Sequence, residues 1–204
     1  MTHERARNRQ TLALAAGQLH PTFADLRLDL RLGLRATALD VAARTVAFDD
    51  GRRERYDALV IATGSSARRL PGQPDLAGVH LLRTLDDALA LRAALERSPR
   101  VLVVGAGFIG AEVAASCRSR GLDVIAIEPL AVPLLRGLGR RMGALCAELQ
   151  RENGVDLRCG VGVAAIEGDG RVERVALSDG TRVAADLVVV GIGAVPETRW
   201  LEGS

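Results

Sequence analysis

The spacing of hydrophobic residues changes along the chain, and these changes predict an α/β protein. Two short runs are apolar throughout, VLVV at Val101–Val104 and LVVV at Leu187–Val190, which is typical of parallel strands buried on both faces. A third buried strand is expected at Val124–Ile127. Helical spacing predicts three helices, at Leu85–Glu96, Phe108–Arg120 and Leu138–Glu152.

Other segments alternate between apolar and polar residues and predict short strands with tight turns. The stretch from Leu28 to Phe48 favours short strands, and Asp50-Gly51 supplies a turn that tolerates positive φ. ALVI at Ala58–Ile61 predicts a strand that opens into a small-residue loop. After the third helix, turns at Gly168–Gly170 and Asp179-Gly180 predict a small antiparallel meander.

Composition narrows the function classes. The chain has 204 residues and a formal net charge of +2, with Arg interleaved among Asp and Glu, so we expect no nucleic-acid partner. We find neither an apolar run long enough to span a membrane nor a signal-peptide pattern, which predicts a cytoplasmic location and no membrane contact. Cys117, Cys146 and Cys159 form no C-x-x-C pair, so we predict neither a metal site nor a dithiol redox motif.

The first buried strand is followed by a G-x-G-x-x-G sequence. Gly105 permits a tight turn, Gly107 lets a pyrophosphate approach the backbone, and Gly110 lets the next helix pack against the strand. The N-terminus of that helix directs N–H groups and its positive dipole end toward the phosphates. The predicted phosphate site consists of Gly105, Ala106, Gly107, Phe108, Ile109 and Gly110.

Glu128 follows the next buried strand, 18 residues after Gly110. A carboxylate at this place accepts hydrogen bonds from the adenosine ribose and repels the 2′-phosphate of NADP. A hydrogen bond to a charged group contributes roughly 1.5–3 kcal/mol. The sequence therefore predicts NAD(H) as the ligand in preference to NADP(H).

Two further charged residues leave alternatives open. Arg136 could contact a phosphate or stack on adenine, and it could equally be a surface arginine. Glu112 lies in the first turn of the predicted helix, where the helix dipole favours a carboxylate for structural reasons alone. Glu112 could also reach the nicotinamide amide.

Four longer segments occur in a defined order and spacing. They are YDALVIATG at Tyr56–Gly64, VHLLRTLDDALALRAAL at Val79–Leu95, VLVVGAGFIGAEVAA at Val101–Ala115 and DLVVVGIGAVPET at Asp186–Thr198. Together they resemble the FAD-dependent pyridine nucleotide-disulfide oxidoreductases, and within them the ferredoxin reductases of bacterial oxygenase systems. The resemblance implies that NADH passes hydride to FAD, which then passes single electrons to a ferredoxin or other iron–sulfur acceptor.

The resemblance also suggests roles for particular residues. It implies that Glu112 lies near the nicotinamide and that the loop formed by Gly191, Ile192 and Gly193 lies beside the cofactor. It assigns no catalytic residue within this chain. The family's usual ARPRRLP after the ATG loop is replaced here by SSARRLP.

The family's N-terminal flavin fingerprint, its later G-D flavin motif and its C-terminal domain have no counterpart in this sequence. We therefore expect a partial FAD-domain segment at residues 1–76, joined to a Rossmann-like NAD-binding domain with a parallel sheet plus antiparallel meander at 77–190. Residues 191–204 would begin the return to the FAD domain.

These expectations lead to two alternative functions. The chain would be the NAD(H)-binding part of a flavin-dependent reductase, or a truncated or regulatory dinucleotide-binding module without turnover of its own. We do not expect FAD to be held stoichiometrically by this chain alone. We also expect self-association through the incomplete N-terminal segment, because an unpaired apolar strand tends to pair with another chain.

Overall fold

The computed structural model describes residues 28–97 and 99–204. They form two compact units, one made of residues 28–60 with Arg199–Ser204 and the other of Ile61–Thr198. None of the helices in these described ranges is long and apolar enough to cross a membrane. The assignment of residues 1–76, 77–190 and 191–204 to FAD-like and NAD-binding segments stays a prediction.

The smaller unit contains a three-stranded antiparallel sheet in the order β1–β2–β3. Its strands are Ala36–Asp40 (β1), Thr45–Phe48 (β2) and Arg53–Arg55 (β3). The predicted turn before β3 is confirmed, since Gly51 has a φ of 85° and the Asp50 carboxylate accepts the N–H of Arg52 at 3.0 Å. A 3₁₀ turn at Arg199–Leu201 belongs to the same unit.

Two strand predictions in the N-terminal part are wrong. The alternating stretch before β1 forms no strand, and Leu28, Leu30 and Leu32 are each about half exposed, so the alternation buries no face. Residues 58–61 form no strand either, and Val60 is 87% exposed. A strand needs a hydrogen-bonded neighbour, and none of the described strands pairs with these two stretches.

The larger unit contains the other described strands and the three described α-helices. The strands are Ser65–Ala67 (β4), Val79–Leu81 (β5), Val101–Val104 (β6), Val124–Glu128 (β7), Val155–Cys159 (β8), Val163–Glu167 (β9), Arg174–Leu177 (β10), Arg182–Ala184 (β11), Leu187–Val190 (β12) and Ala194–Pro196 (β13). The helices are Leu85–Leu95 (α1), Phe108–Arg118 (α2) and Leu135–Glu152 (α3). The predicted α/β fold class is confirmed.

Five strands form a parallel sheet in the order β5–β12–β6–β7–β8. The sheet is covered on both faces, as the continuous apolar runs predict. Val101 and Val103 of β6 belong to the hydrophobic cluster that includes helix residues, whereas Leu102 and Val104 belong to the cluster that includes the β9–β10–β11 meander. The predicted parallel sheet and antiparallel meander are therefore both confirmed.

Helix α1 begins where the local sequence predicts, whereas helix α3 begins earlier than predicted. Thr84 caps α1, as predicted, because its hydroxyl accepts the N–H of Asp87 and the Asp87 carboxylate accepts the N–H of Thr84. Helix α3 begins at Leu135, three residues before the predicted start, after Leu134 adopts a left-handed φ of 55°. Gly139, with φ 76° and ψ 175°, breaks α3 into a short first turn and a longer helix.

The short strands β4 and β13 form a two-stranded antiparallel ribbon. The sequence predicted loops at both places, and the pairing is non-local because Ala67 lies opposite Ala194. Just beyond the ribbon, the N–H of Arg68 donates to the carbonyl of Gly193 at 2.9 Å. The ribbon therefore fixes Arg68 beside the loop that follows β12.

Candidate dinucleotide-binding site

A groove of about 760 Å³ opens at the carboxyl ends of β6, β7 and β12. In open parallel sheets this is the edge at which ligands bind. Most of the residues predicted from the sequence line it: Gly105, Gly107, Phe108, Ile109, Glu128, Arg136, Gly191, Ile192 and Gly193. These predicted residues come from three separate parts of the sequence.

Gly107 leaves the start of α2 open toward the groove. It is the N-cap residue of the helix, and no side chain caps the first-turn N–H groups. A Cβ added to Gly107 would meet no atom within 4 Å, so the space above it is free. An uncapped helix N-terminus beside free space suits an anionic group such as a pyrophosphate.

Gly105 and Gly110 serve close packing. Gly105 has a left-handed φ of 90°, and a Cβ there would lie 2.7 Å from the carbonyl oxygen of Gly191. A Cβ on Gly110 would overlap the carbonyl oxygen of Gly105. These two glycines let the turn, the helix and the 191–193 loop approach one another, as the sequence motif predicts.

Glu128 lies at the end of β7 and is only 7% exposed. Its Oε2 accepts the backbone N–H of Ala106 at 2.9 Å, and its Oε1 accepts the backbone N–H of Leu130 at 3.0 Å. Each carboxylate oxygen can accept a second hydrogen bond, so capacity remains for a ribose hydroxyl. The carboxylate therefore organises two backbone turns at the wall of the groove.

The turn before the main part of α3 forms another wall. Leu134 and Arg136 line the groove, and the N–H of Leu134 donates to the carbonyl of Ala106 at 3.2 Å. Phe108, which is 60% exposed, lies so close to Gly137 that an added Cβ there would be 3.1 Å from its ring. Arg136 is exposed at this wall, and both of its alternatives stay open.

Three predicted residues do not line the groove. Ala106 and Gly110 are buried beneath it, where Ala106 contributes its backbone hydrogen bonds and Gly110 its small size. Glu112 instead lines a separate cavity of about 250 Å³ between α1 and α2, together with Leu82. Ile109 lines both spaces, so it separates Glu112 from the larger groove.

The groove also contains residues that sequence reasoning missed. Arg68 is the most informative because it adds a second cation, and its Nη2 donates weakly to the carbonyl of Ala194 at 3.4 Å. The only local signal for Arg68 is its place in the SSARRLP segment. That segment does not show that Arg68 contacts the distant loop that follows β12. The other missed lining residues are Pro129, Leu130, Leu134, Leu135, Gly137 and Ala194.

Comparison of the sequence with protein families gives a match over almost the whole chain. The family model described as pyridine nucleotide-disulphide oxidoreductase matches residues 4–204. Two similar curated relatives are the ferredoxin reductase component of chlorobenzene dioxygenase from Cupriavidus sp. (strain PS12) and the ferredoxin–NAD(+) reductase component of the biphenyl dioxygenase system from Paraburkholderia xenovorans (strain LB400).

The match to these relatives extends over only part of their length. The first is 46% identical over 179 residues, which are 87% of this chain and 43% of the relative. The second is 44% identical over 176 residues, which are 85% of this chain and 43% of the relative. Among solved structures, the ferredoxin reductase for the CYP199A2 system from Rhodopseudomonas palustris superposes with a TM-score of 0.81 at 33% identity, covering 90% of this chain and 46% of that one.

Proposed function

Because this chain belongs to the pyridine nucleotide-disulphide oxidoreductase family, we propose that it is the NADH-binding part of a flavin-dependent reductase. The electrons would pass to a ferredoxin-type iron–sulfur protein. The names of the two curated relatives support this proposal, since both are ferredoxin reductase components of dioxygenase systems. The cytoplasmic location predicted from the sequence remains part of the proposal.

The groove suits the successive parts of an NADH molecule. The N-terminus of α2 would bind the pyrophosphate over Gly107, where the free space and the uncapped N–H groups coincide. Arg68 and Arg136, both exposed in the groove, would balance the phosphate charge. Glu128 would accept a ribose hydroxyl and repel a 2′-phosphate.

The nicotinamide end would lie toward the loop after β12. Gly191 and Gly193 line the groove there without side chains, so they leave room for a flat ring. Glu112 is proposed to reach the nicotinamide amide past Ile109, which borders both cavities. NADH would supply the hydride, and the residues of this chain would hold and orient the NADH molecule.

The described residues do not fit FAD in the same way. Within residues 28–97 and 99–204, the glycine-rich strand–turn–helix unit is the one at Gly105–Gly110, and we assign it to NADH. The family resemblance implies FAD as well as NAD(H), so the flavin belongs to the proposal for the whole reductase.

The single observation that carries the proposal is the open space above Gly107 at the uncapped end of α2. Calorimetric titration of the purified chain with NADH tests it, and a parallel titration with NADPH tests the role of Glu128. We expect NADH to bind at least tenfold more tightly, because Glu128 lies where the 2′-phosphate would go. Equal affinities, or tighter binding of NADPH, would contradict the assignment.

A second measurement tests whether this chain turns over by itself. The chain is mixed with FAD and NADH, and the reduction of ferricyanide is followed with and without added ferredoxin. We expect NADH binding but neither stoichiometric FAD nor reduction by this chain alone. Purification with one equivalent of flavin would show that this chain holds FAD, and sustained reduction would show that it turns over by itself.

A further inference from the structure

The outer face of α3 carries an apolar stripe that the proposed function does not use. Met142, Leu145 and Leu149 are 48%, 51% and 60% exposed. Their spacing of three and four residues places them on one side of the helix. The opposite side buries Gly143 and Ala147 against the rest of the unit. The stripe therefore points away from the core to which α3 is attached.

Three charged residues lie along one border of this stripe: Arg141, Glu148 and Glu152. Arg141 precedes Met142, and Glu148 precedes Leu149, so both occupy the same position relative to the apolar residues. Both are exposed, and neither has an ion-pair partner in the part of the chain that the structure describes. One end of the border is thus positive and the other negative.

We propose that the α3 stripe is a self-association surface, which pairs with the same stripe of a second copy of this chain. An antiparallel arrangement about a two-fold axis places Met142 of each copy beside Leu145 of the other. In the same register, Arg141 of each copy lies beside Glu148 of the other, so two ion pairs form. A parallel arrangement would instead place like charges together.

The charge pattern favours a second copy over other occupants of the stripe. A helix that lies on an anionic membrane carries mainly Lys and Arg on its polar face, whereas this border has one base and two acids. A self-complementary border of opposite charges matches an isologous interface. This surface is also distinct from the N-terminal segment for which self-association was predicted from the sequence.

The proposed interface is small, which limits the expected affinity of one copy for the other. Stable specific interfaces bury roughly 1,200–2,000 Å² in total, and a single short helix pair buries less. We therefore expect a reversible monomer–dimer equilibrium with a dissociation constant between about 10 µM and 1 mM. Sedimentation velocity of the whole 204-residue chain over this concentration range measures it.

The variant Leu145→Glu tests the apolar contact between the two stripes. The control is Leu89→Glu on α1, because Leu89 is also 51% exposed. We expect Leu145→Glu to raise the dissociation constant at least tenfold and Leu89→Glu to leave it within twofold. Circular dichroism confirms that both variants are folded. A chain that is monomeric at 1 mM, about the upper limit of this range, or a dimer unaffected by Leu145→Glu, would overturn the proposal.

Charge reversal tests whether Arg141 of one copy lies beside Glu148 of the other. Arg141→Glu alone and Glu148→Arg alone each convert two attractions into two repulsions, and we expect each to weaken the dimer about tenfold. The double reversal restores the pairing and should return the dissociation constant to within about threefold of the original. A double variant as weak as the single ones would overturn the antiparallel register. Binding of monomer to anionic vesicles without dimerisation would overturn the choice of occupant.

Discussion

The carboxylate of Glu128 accepts the backbone N–H of Ala106 at 2.9 Å, which joins the end of β7 to the turn after β6. These residues are 22 positions apart in the sequence; Glu128 lines the groove, and Ala106 lies buried beneath it. Under the proposed function, a single side chain would therefore couple the choice between NADH and NADPH to the shape of the turn that binds the phosphates. Substitution of Glu128 should disturb both properties together.

Replacing Glu128 with Gln should weaken NADH binding about tenfold or more. Both carboxylate oxygens accept backbone N–H groups, so the NH₂ of the amide would face one of these donors and leave it unpaired. We also expect the difference between NADH and NADPH to narrow, because the negative charge is lost. Calorimetry with both nucleotides measures this, and Glu152→Gln on the exposed end of α3 is the control. Unchanged NADH affinity in Glu128→Gln would contradict the role given to this carboxylate.

Two glycines of the motif should respond differently to a side chain. Gly107→Val should remain folded and lose NADH binding, because its side chain enters free space in the groove. Gly110→Ala should destabilise the chain by about 1–3 kcal/mol, because its Cβ overlaps the carbonyl oxygen of Gly105. Thermal unfolding and NADH titration of both variants test this contrast. A folded Gly107→Val that binds NADH normally would show that the pyrophosphate lies elsewhere.

The two arginines of the groove should contribute mainly through phosphate charge. Arg68→Ala should weaken NADH binding about tenfold, as expected for loss of a hydrogen bond to a charged group, and should reduce the salt dependence of binding. The same experiment with Arg136→Ala decides between the two alternatives for that residue. A loss of NADH affinity indicates contact with the cofactor, and no change indicates an ordinary surface arginine. Arg140→Ala on the exposed part of α3 serves as the control.

The pair Arg100–Asp186 should make stability depend on acid pH. Hydrogen bonds from the Arg100 side chain at 2.7 and 2.8 Å and from its backbone N–H at 2.9 Å lower the pKa of the Asp186 carboxyl from 3.8 to about 2. A lowered folded-state pKa gives stability that is fully present above the unfolded value and is lost as pH falls from about 4 toward 2.

Asp186→Asn is the variant that measures this contribution. The Asp186 side chain is 37% exposed, so solvent screening reduces the expected effect to about 1 kcal/mol above pH 5. Urea unfolding of both proteins at several pH values gives the difference. We expect the difference to shrink below pH 4 and to disappear near pH 2. A difference that is constant with pH would show that the loss came from packing and not from ionisation.

The parts of the fold that sequence reasoning predicted correctly depend on local or strongly periodic signals. The runs at Val101–Val104 and Leu187–Val190 are buried strands because every residue has a covered face to occupy. Thr84 and Asp87 predicted the start of α1 through a capping pattern that is complete within four residues. The family resemblance, which rests on four ordered segments, is also confirmed.

The failures depend on information outside the local sequence. Residues 58–61 have the composition of a strand, but a strand exists only where a neighbour pairs with it. The place of Arg68 in the groove depends on pairing between β4 and β13, whose partners Ala67 and Ala194 are far apart in the chain. Leu134, which follows Pro133, has a left-handed φ although it is not a glycine. The sequence therefore carries no glycine signal at the residue where this turn begins.

The break at Gly139 divides α3 into two pieces. The first turn lines the groove, whereas the longer piece carries the proposed association stripe. Because Gly139 interrupts the helix between the two sites, we expect NADH binding and self-association to show no thermodynamic linkage. NADH affinity would then be the same in dilute and concentrated protein, and saturation with NADH would leave the monomer–dimer equilibrium where it was.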